Sequence, residues 1–253
     1  MAPIERARSL PDFHLHVLRL NERGSQLVFE HVNIYQVLKE SSQRVLESLY
    51  PRALPHSRSP AIRSISLFLK QQDGVAETHS SELDDEHKEV VLSTSYLENV
   101  YVQSGGDLQR LINEIEGVLT HELVHAFQYD GSRTVPGGVI EGIADWVRHA
   151  HGLGPPHWRE GPTAEERWDA GYQTTAYFLV WLEKRFDNPL LVPRLNMMML
   201  TENWDDGKHF EKLLNGQDVE KLWEIYKQSF DKVSDDAPPA IPTHSVGYRP
   251  AYA

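Results

Sequence analysis

The chain has no cysteine among its 253 residues, which excludes disulfide stapling and leaves the redox compartment open. It has no long hydrophobic run either: the longest, Ala176 to Leu182, is far too short to span a bilayer. Basic residues are outnumbered, 25 Lys plus Arg against 37 Asp plus Glu for a net charge of −12, and that balance disfavours nucleic-acid and anionic-membrane partners. The first residues, Met1 to Asp12, contain no apolar h-region. No conventional signal peptide is therefore expected, and a cytoplasmic location is the default. Internal repeats and long low-complexity tracts are absent too. At 40% hydrophobic content the chain can bury a sizeable core without staples. One domain is expected over 12–234, after an N-terminal extension at 1–11 and before a Pro-rich tail at 235–253 opened by Asp236-Ala237-Pro238-Pro239.

What is present is more telling. His121-Glu122-Leu123-Val124-His125 sets two imidazoles four residues apart, with a carboxylate beside the first. On a helix the two rings share a face one turn apart and can reach one Zn²⁺, while Glu122 points toward a water. With 13 histidines the bare pattern arises by chance in roughly one such chain in twenty, so the surroundings must carry the argument. Apolar residues at 108, 111, 112, 115, 118, 119, 123, 124 and 127 keep helical spacing into the motif, and Asp107 stands where an N-cap belongs.

Zinc held this way needs a third protein ligand. Gln128 and Gly131 occupy the places where a metzincin would put Gly and His, which excludes that subclass. After the turn-rich stretch Asp130 to Gly138 comes Glu141-Gly142-Ile143-Ala144-Asp145-Trp146-Val147-Arg148, which predicts a second helix returning antiparallel to the first. Glu141 and Asp145 are i and i+4 on it. Glu141 is the candidate third ligand, and Asp145 the candidate acceptor for the outer N–H of a ligating histidine. Small Gly142 and Ala144 are expected to let these two helices approach. The bland alternative makes the acidic pair a solvated face and the histidines ordinary helix residues.

Elsewhere, 14–20 partly alternates like a half-buried strand, Ile34 to Leu49 is helical in period, Ile65, Leu67 and Leu69 alternate, and Val90-Val91-Leu92 is a short strand candidate. Everything after Asp107 is dominated by helical signals. The fold class expected is α+β, with a sheet in the N-terminal half and a mostly helical C-terminal half. Glu86 to Ser93 reads either as an edge strand lining a cleft or as an ordinary sheet strand with a charged start.

Three blocks carry a family resemblance: Gly117 to Gln128, Ile140 to Arg148, and Gly171-Tyr172-Gln173-Thr174-Thr175-Ala176-Tyr177 onward to Leu182. The arrangement resembles the gluzincins, the thermolysin-like branch of zinc peptidases. It is more closely similar to the plant basic secretory protein family, proposed peptidases also found in fungi and bacteria, over roughly residues 12 to 232. That resemblance implies a zincin-like fold and one Zn²⁺ per chain held by His121, His125 and Glu141, with Glu122 as general base and Asp145 behind the ligands. The family's secretory character also leaves unconventional secretion open.

The reaction expected is hydrolysis of a peptide or protein substrate by metal-activated water. An endopeptidase is favoured, because the Gly-x-Met-Glu-Asn stretch of one aminopeptidase branch is missing. A catalytically silent zinc-binding member of the same fold, acting through binding, is the alternative. The negative charge that develops on the carbonyl oxygen calls for a donor. Tyr172, in the resembling Gly-Tyr-x-x-Thr-Ala block, is the first candidate and Tyr177 the second, against the reading that either tyrosine simply packs. The helix carrying them is expected to start at a capping box, Thr163 to Glu166. His149 and His151 read as imidazolium caps at the second helix's C-terminus. Arg148 is read as a partner for Asp145 or for a substrate carboxylate.

Overall fold

The computed structural model describes residues 10–231, and the expected Pro-rich tail lies outside them. These residues are mixed α and β, with all four strands before the long motif helix. They form two compact units, one of residues 10–45 and 60–127, the other of 46–59 and 128–231.

The first unit holds strands β1 (Asp12–Val17), β2 (Ser64–Lys70), β3 (Ala76–Ser80) and β4 (His87–Ser93), with helices α1 (Arg23–His31), α3 (Thr94–Gln103) and α4 (Leu108–Phe127). Helix α2 (Ile34–Leu49) begins in it. The sheet order is β1-β2-β4-β3. β2 lies parallel to both β1 and β4, while β3 runs antiparallel to β4. The period of two in β2 is that of a sheet covered on one face: Ile65, Leu67 and Leu69 are fully buried and their neighbours half-buried. Val90 and Leu92 pair in register with Leu67 and Leu69. Thr78 of β3 pairs with Val90, so its side chain shares that face.

This topology corrects one of the two readings of the 86–93 segment. β4 is hydrogen-bonded on both sides and is an interior strand; the edges among the described residues are β1 and β3. β3 was not anticipated, since Ala-Glu-Thr-His-Ser offers no apolar alternation.

α4 forms because its apolar residues return every three or four positions. Leu111, Ile115, Leu119, Leu123 and Val124 are all fully buried. The Asp107 carboxylate accepts from the Arg110 amide at 3.1 Å, the expected N-cap. Polar ties fix the helix in its unit: Thr120 Oγ1 donates to Ser41 Oγ of α2 at 3.0 Å, and Tyr96 of α3 donates to buried Glu114 at 2.8 Å. α1 and α3 touch so closely that a Cβ on Gly24 would stand 2.1 Å from the Thr94 carbonyl oxygen.

The second unit contains α5 (Gly137–Ala150), α6 (Tyr172–Arg185), α7 (Leu191–Thr201), α8 (Asp206–Leu213) and α9 (Val219–Asp231). α5 and α6 are its core pair. Gly142 serves this contact: a Cβ there would lie 2.3 Å from Thr175 Cγ2 of α6. Trp146, buried on α5, donates from Nε1 to Glu183 Oε2 of α6 at 3.0 Å. Phe178 of α6 stacks on Trp181 and meets Trp223 and Tyr226 of α9.

α6 starts at Tyr172, not at Thr163. The Thr163 amide does donate to the Glu166 carboxylate, so half of the expected capping box exists. Tertiary bonds then hold the next residues out of a helix: Trp223 Nε1 donates to the Glu166 carbonyl, Trp168 Nε1 to Glu220 of α9, and the Trp168 carbonyl accepts from Thr175 Oγ1.

Candidate metal centre

The helical register of α4 brings the two motif imidazoles together. His121 Nε2 and His125 Nε2 stand 3.2 Å apart, with the rings edge to face at 82° and centroids 4.9 Å apart. Two nitrogens bound tetrahedrally at the usual zinc distance of about 2.0–2.1 Å would be about 3.3 Å apart. The spacing of these nitrogens therefore matches a shared ion. His121 is buried and His125 half-buried.

Glu141 completes the group. One ligand atom each from His121, His125 and Glu141 lies within 4.8 Å of the other two, a possible metal-binding triad. Two imidazole nitrogens and one carboxylate oxygen are the donor set of an open zinc site, with a fourth position left for water.

Glu122 is buried at 6% exposure, and its partner was not foreseen. Thr78 Oγ1 of β3 lies 2.7 Å from Glu122 Oε2 and 3.0 Å from the Glu122 carbonyl oxygen. Nothing in the sequence around Thr78 signals this. The contact follows from the antiparallel pairing of β3, which turns Thr78 to the face that α4 covers.

On α5, Asp145 is buried one turn after Glu141. Tyr172 opens α6 and is 58% exposed. Its φ of 47° follows a glycine at φ 94°, a left-handed pair that only Gly171 adopts without strain. Packing is close here, since a Cβ on Gly171 would lie 3.2 Å from Gly138 Cα and 3.6 Å from Glu141 Cβ. Tyr172 thus follows directly on the residue beside Glu141. Tyr177 instead lies half-buried between His149 and Trp158, ring centroids 4.9 and 6.3 Å away. Burial, with the Glu160 and Asp145 carboxylates nearby, raises its phenol pKa.

The reading of His149 as an imidazolium cap is corrected. It lies in the last turn of α5, but burial lowers its pKa below the usual histidine value, which favours the neutral ring at physiological pH. His151 Nε2 is 3.0 Å from Ser48 Oγ. Arg148 is buried; its Nε donates to the Leu153 carbonyl at 2.9 Å and its guanidinium lies over the Trp158 ring.

A family model described as a peptidase of plants and bacteria, BSP, matches residues 10–226. The chain belongs to the BSP family. The resemblance to the basic secretory protein family is thereby met, and the match spans the triad, Glu122, Thr78, Asp145 and both tyrosines. No curated protein and no solved structure matches this BSP chain. Among its described residues, no helix is long and apolar enough to cross a membrane.

Proposed function

We propose that this BSP-family chain is a zinc-dependent metallopeptidase, an endopeptidase acting on extended segments of peptide or protein. The observation that carries the reading is the convergence of His121, His125 and Glu141 on one point, with Glu122 next in the chain to the first ligand. His121, His125 and Glu141 would hold the ion. When bound, Zn²⁺ supplies Lewis acidity and lowers the pKa of a water to about 7.

The chain's own residues do the rest. The Glu122 carboxylate, next in the chain to the first ligand, takes a proton from the attacking water and delivers it to the leaving amine nitrogen. Asp145, one turn from Glu141, orients a ligating imidazole through its outer N–H. Tyr172 donates its phenolic proton in a hydrogen bond to the carbonyl oxygen as charge builds there. It is 58% exposed, and it directly follows Gly171, which lies beside Glu141. β3 pairs only with β4 among the described residues, so its other edge can accept the main chain of an extended substrate in a sequence-tolerant way.

Elemental analysis of the purified protein, paired with cleavage of an unstructured protein with and without chelator, tests this. One zinc per chain and chelator-sensitive cleavage are expected. One zinc with no cleavage would assign the chain to the silent, binding alternative, and no zinc would overturn both.

A further inference from the structure

We propose that Thr78 is a positioning residue for Glu122, a role that rests on the reading of Glu122 as the general base. Its hydroxyl has one proton and two acceptors in reach, Glu122 Oε2 at 2.7 Å and the Glu122 carbonyl oxygen at 3.0 Å. The shorter contact, to the side-chain oxygen, takes the proton. Oε2 is thereby committed to the sheet. Oε1 makes no hydrogen bond among the described residues, so it is the atom that meets water, receives its proton and releases it to the leaving amine. Thr78 itself gives up no proton during this transfer.

The geometry also explains why a strand is needed for the task. A glutamate side chain has three rotatable bonds, and freezing them by one contact to a mobile loop would be ineffective. Thr78 is instead paired with Val90 in the four-stranded sheet, and its β-branched side chain has few rotamers. The same strand has the open edge proposed for the substrate backbone, so one rigid element would register both the base and the scissile bond.

Three variants test the role: Thr78→Val, Thr78→Ser and Glu122→Gln, each assayed for zinc content, kcat and KM. Thr78→Val should keep one zinc per chain and KM within about twofold while kcat falls roughly 10- to 100-fold. Thr78→Ser, which restores the hydroxyl, should recover most of kcat. A readout independent of turnover comes from chelator-treated protein. Thr78→Val should lower Tm by about 3–8 °C in the parent and by clearly less in a Glu122→Ala background, because the bond to the carboxylate is then already gone and only the 3.0 Å contact to the Glu122 carbonyl remains to be lost. Equal Tm losses in both backgrounds, or full kcat in Thr78→Val beside an inactive Glu122→Gln, overturn the role of Thr78 alone. Undiminished hydrolysis by Glu122→Gln overturns the reading of the base and this role with it.

Discussion

Glu183 offers a test that is independent of the metal. Its carboxyl is 3% exposed between α5 and α6. Oε2 accepts from Trp146 Nε1, while Oε1 is buried without a hydrogen-bond partner. Burial outweighs the Trp146 bond, the Val192 amide and the Lys184 charge, pushing the pKa from 4.5 up to about 8. The folded chain therefore holds a proton that the unfolded chain releases above pH 4.5. Stability from this group is fully present below pH 4.5 and is lost as pH rises through about 8. Between pH 5 and pH 8 the loss is on the order of 3 kcal/mol, taking about 1.4 kcal/mol for each unit by which the folded and unfolded pKa values straddle the pH.

Glu183→Gln removes the titration while keeping an oxygen for the Trp146 N–H. Urea unfolding of chelator-treated parent and variant at pH 5, 6, 7 and 8 should show the variant gaining on the parent steadily. The gap should widen by roughly 6–12 °C if read as Tm. Using the difference between the two proteins cancels the titration of the histidines. If both lost stability with the same pH slope, the argument that Glu183 is buried as a neutral acid would be refuted.

Gly142→Ala should destabilise the second unit by about 1–3 kcal/mol, because its Cβ would stand 2.3 Å from Thr175 Cγ2; chemical denaturation measures this, and an unchanged midpoint would contradict the packing. Tyr172→Phe should lower kcat about 100- to 1,000-fold with little change in KM if its phenol serves the oxyanion, whereas Tyr177→Phe should leave kcat nearly intact; the reverse ranking would exchange their roles. Alanine at His121, His125 or Glu141 should abolish zinc retention on dialysis and remove the Tm gain that added zinc gives the parent. Retention by Glu141→Ala would dismiss that carboxylate as a ligand.

The parts of this molecule that were legible beforehand are those whose physics is local. α4 could be read from apolar residues between 108 and 127 because a helix that buries one face repeats every three to four residues, and the same periodicity fixed His121 and His125 as neighbours. Ile65, Leu67 and Leu69 revealed β2 for the analogous reason with period two. Glu141 and Asp145 were legible as a pair because i and i+4 share a helix face. What escaped was non-local. β3 has no pattern of its own; it is a strand because β4 pairs with it, so neither the true sheet edge nor Thr78 could be found from sequence. Likewise the Thr163 to Glu166 signal is real as a hydrogen bond, yet Trp168 and Trp223 hold the following residues in turns, and α6 begins only where Gly171 supplies the left-handed backbone. His149 looked like a surface cap because its burial against Tyr177 depends on a partner in a different helix.

The most direct measurement is zinc content and hydrolysis of an unstructured protein by the parent and Glu122→Gln side by side. The account predicts one zinc per chain in both proteins, with cleavage by the parent alone. Cleavage by Glu122→Gln at the parental rate, or a parent purified without zinc and unable to take it up, would contradict it.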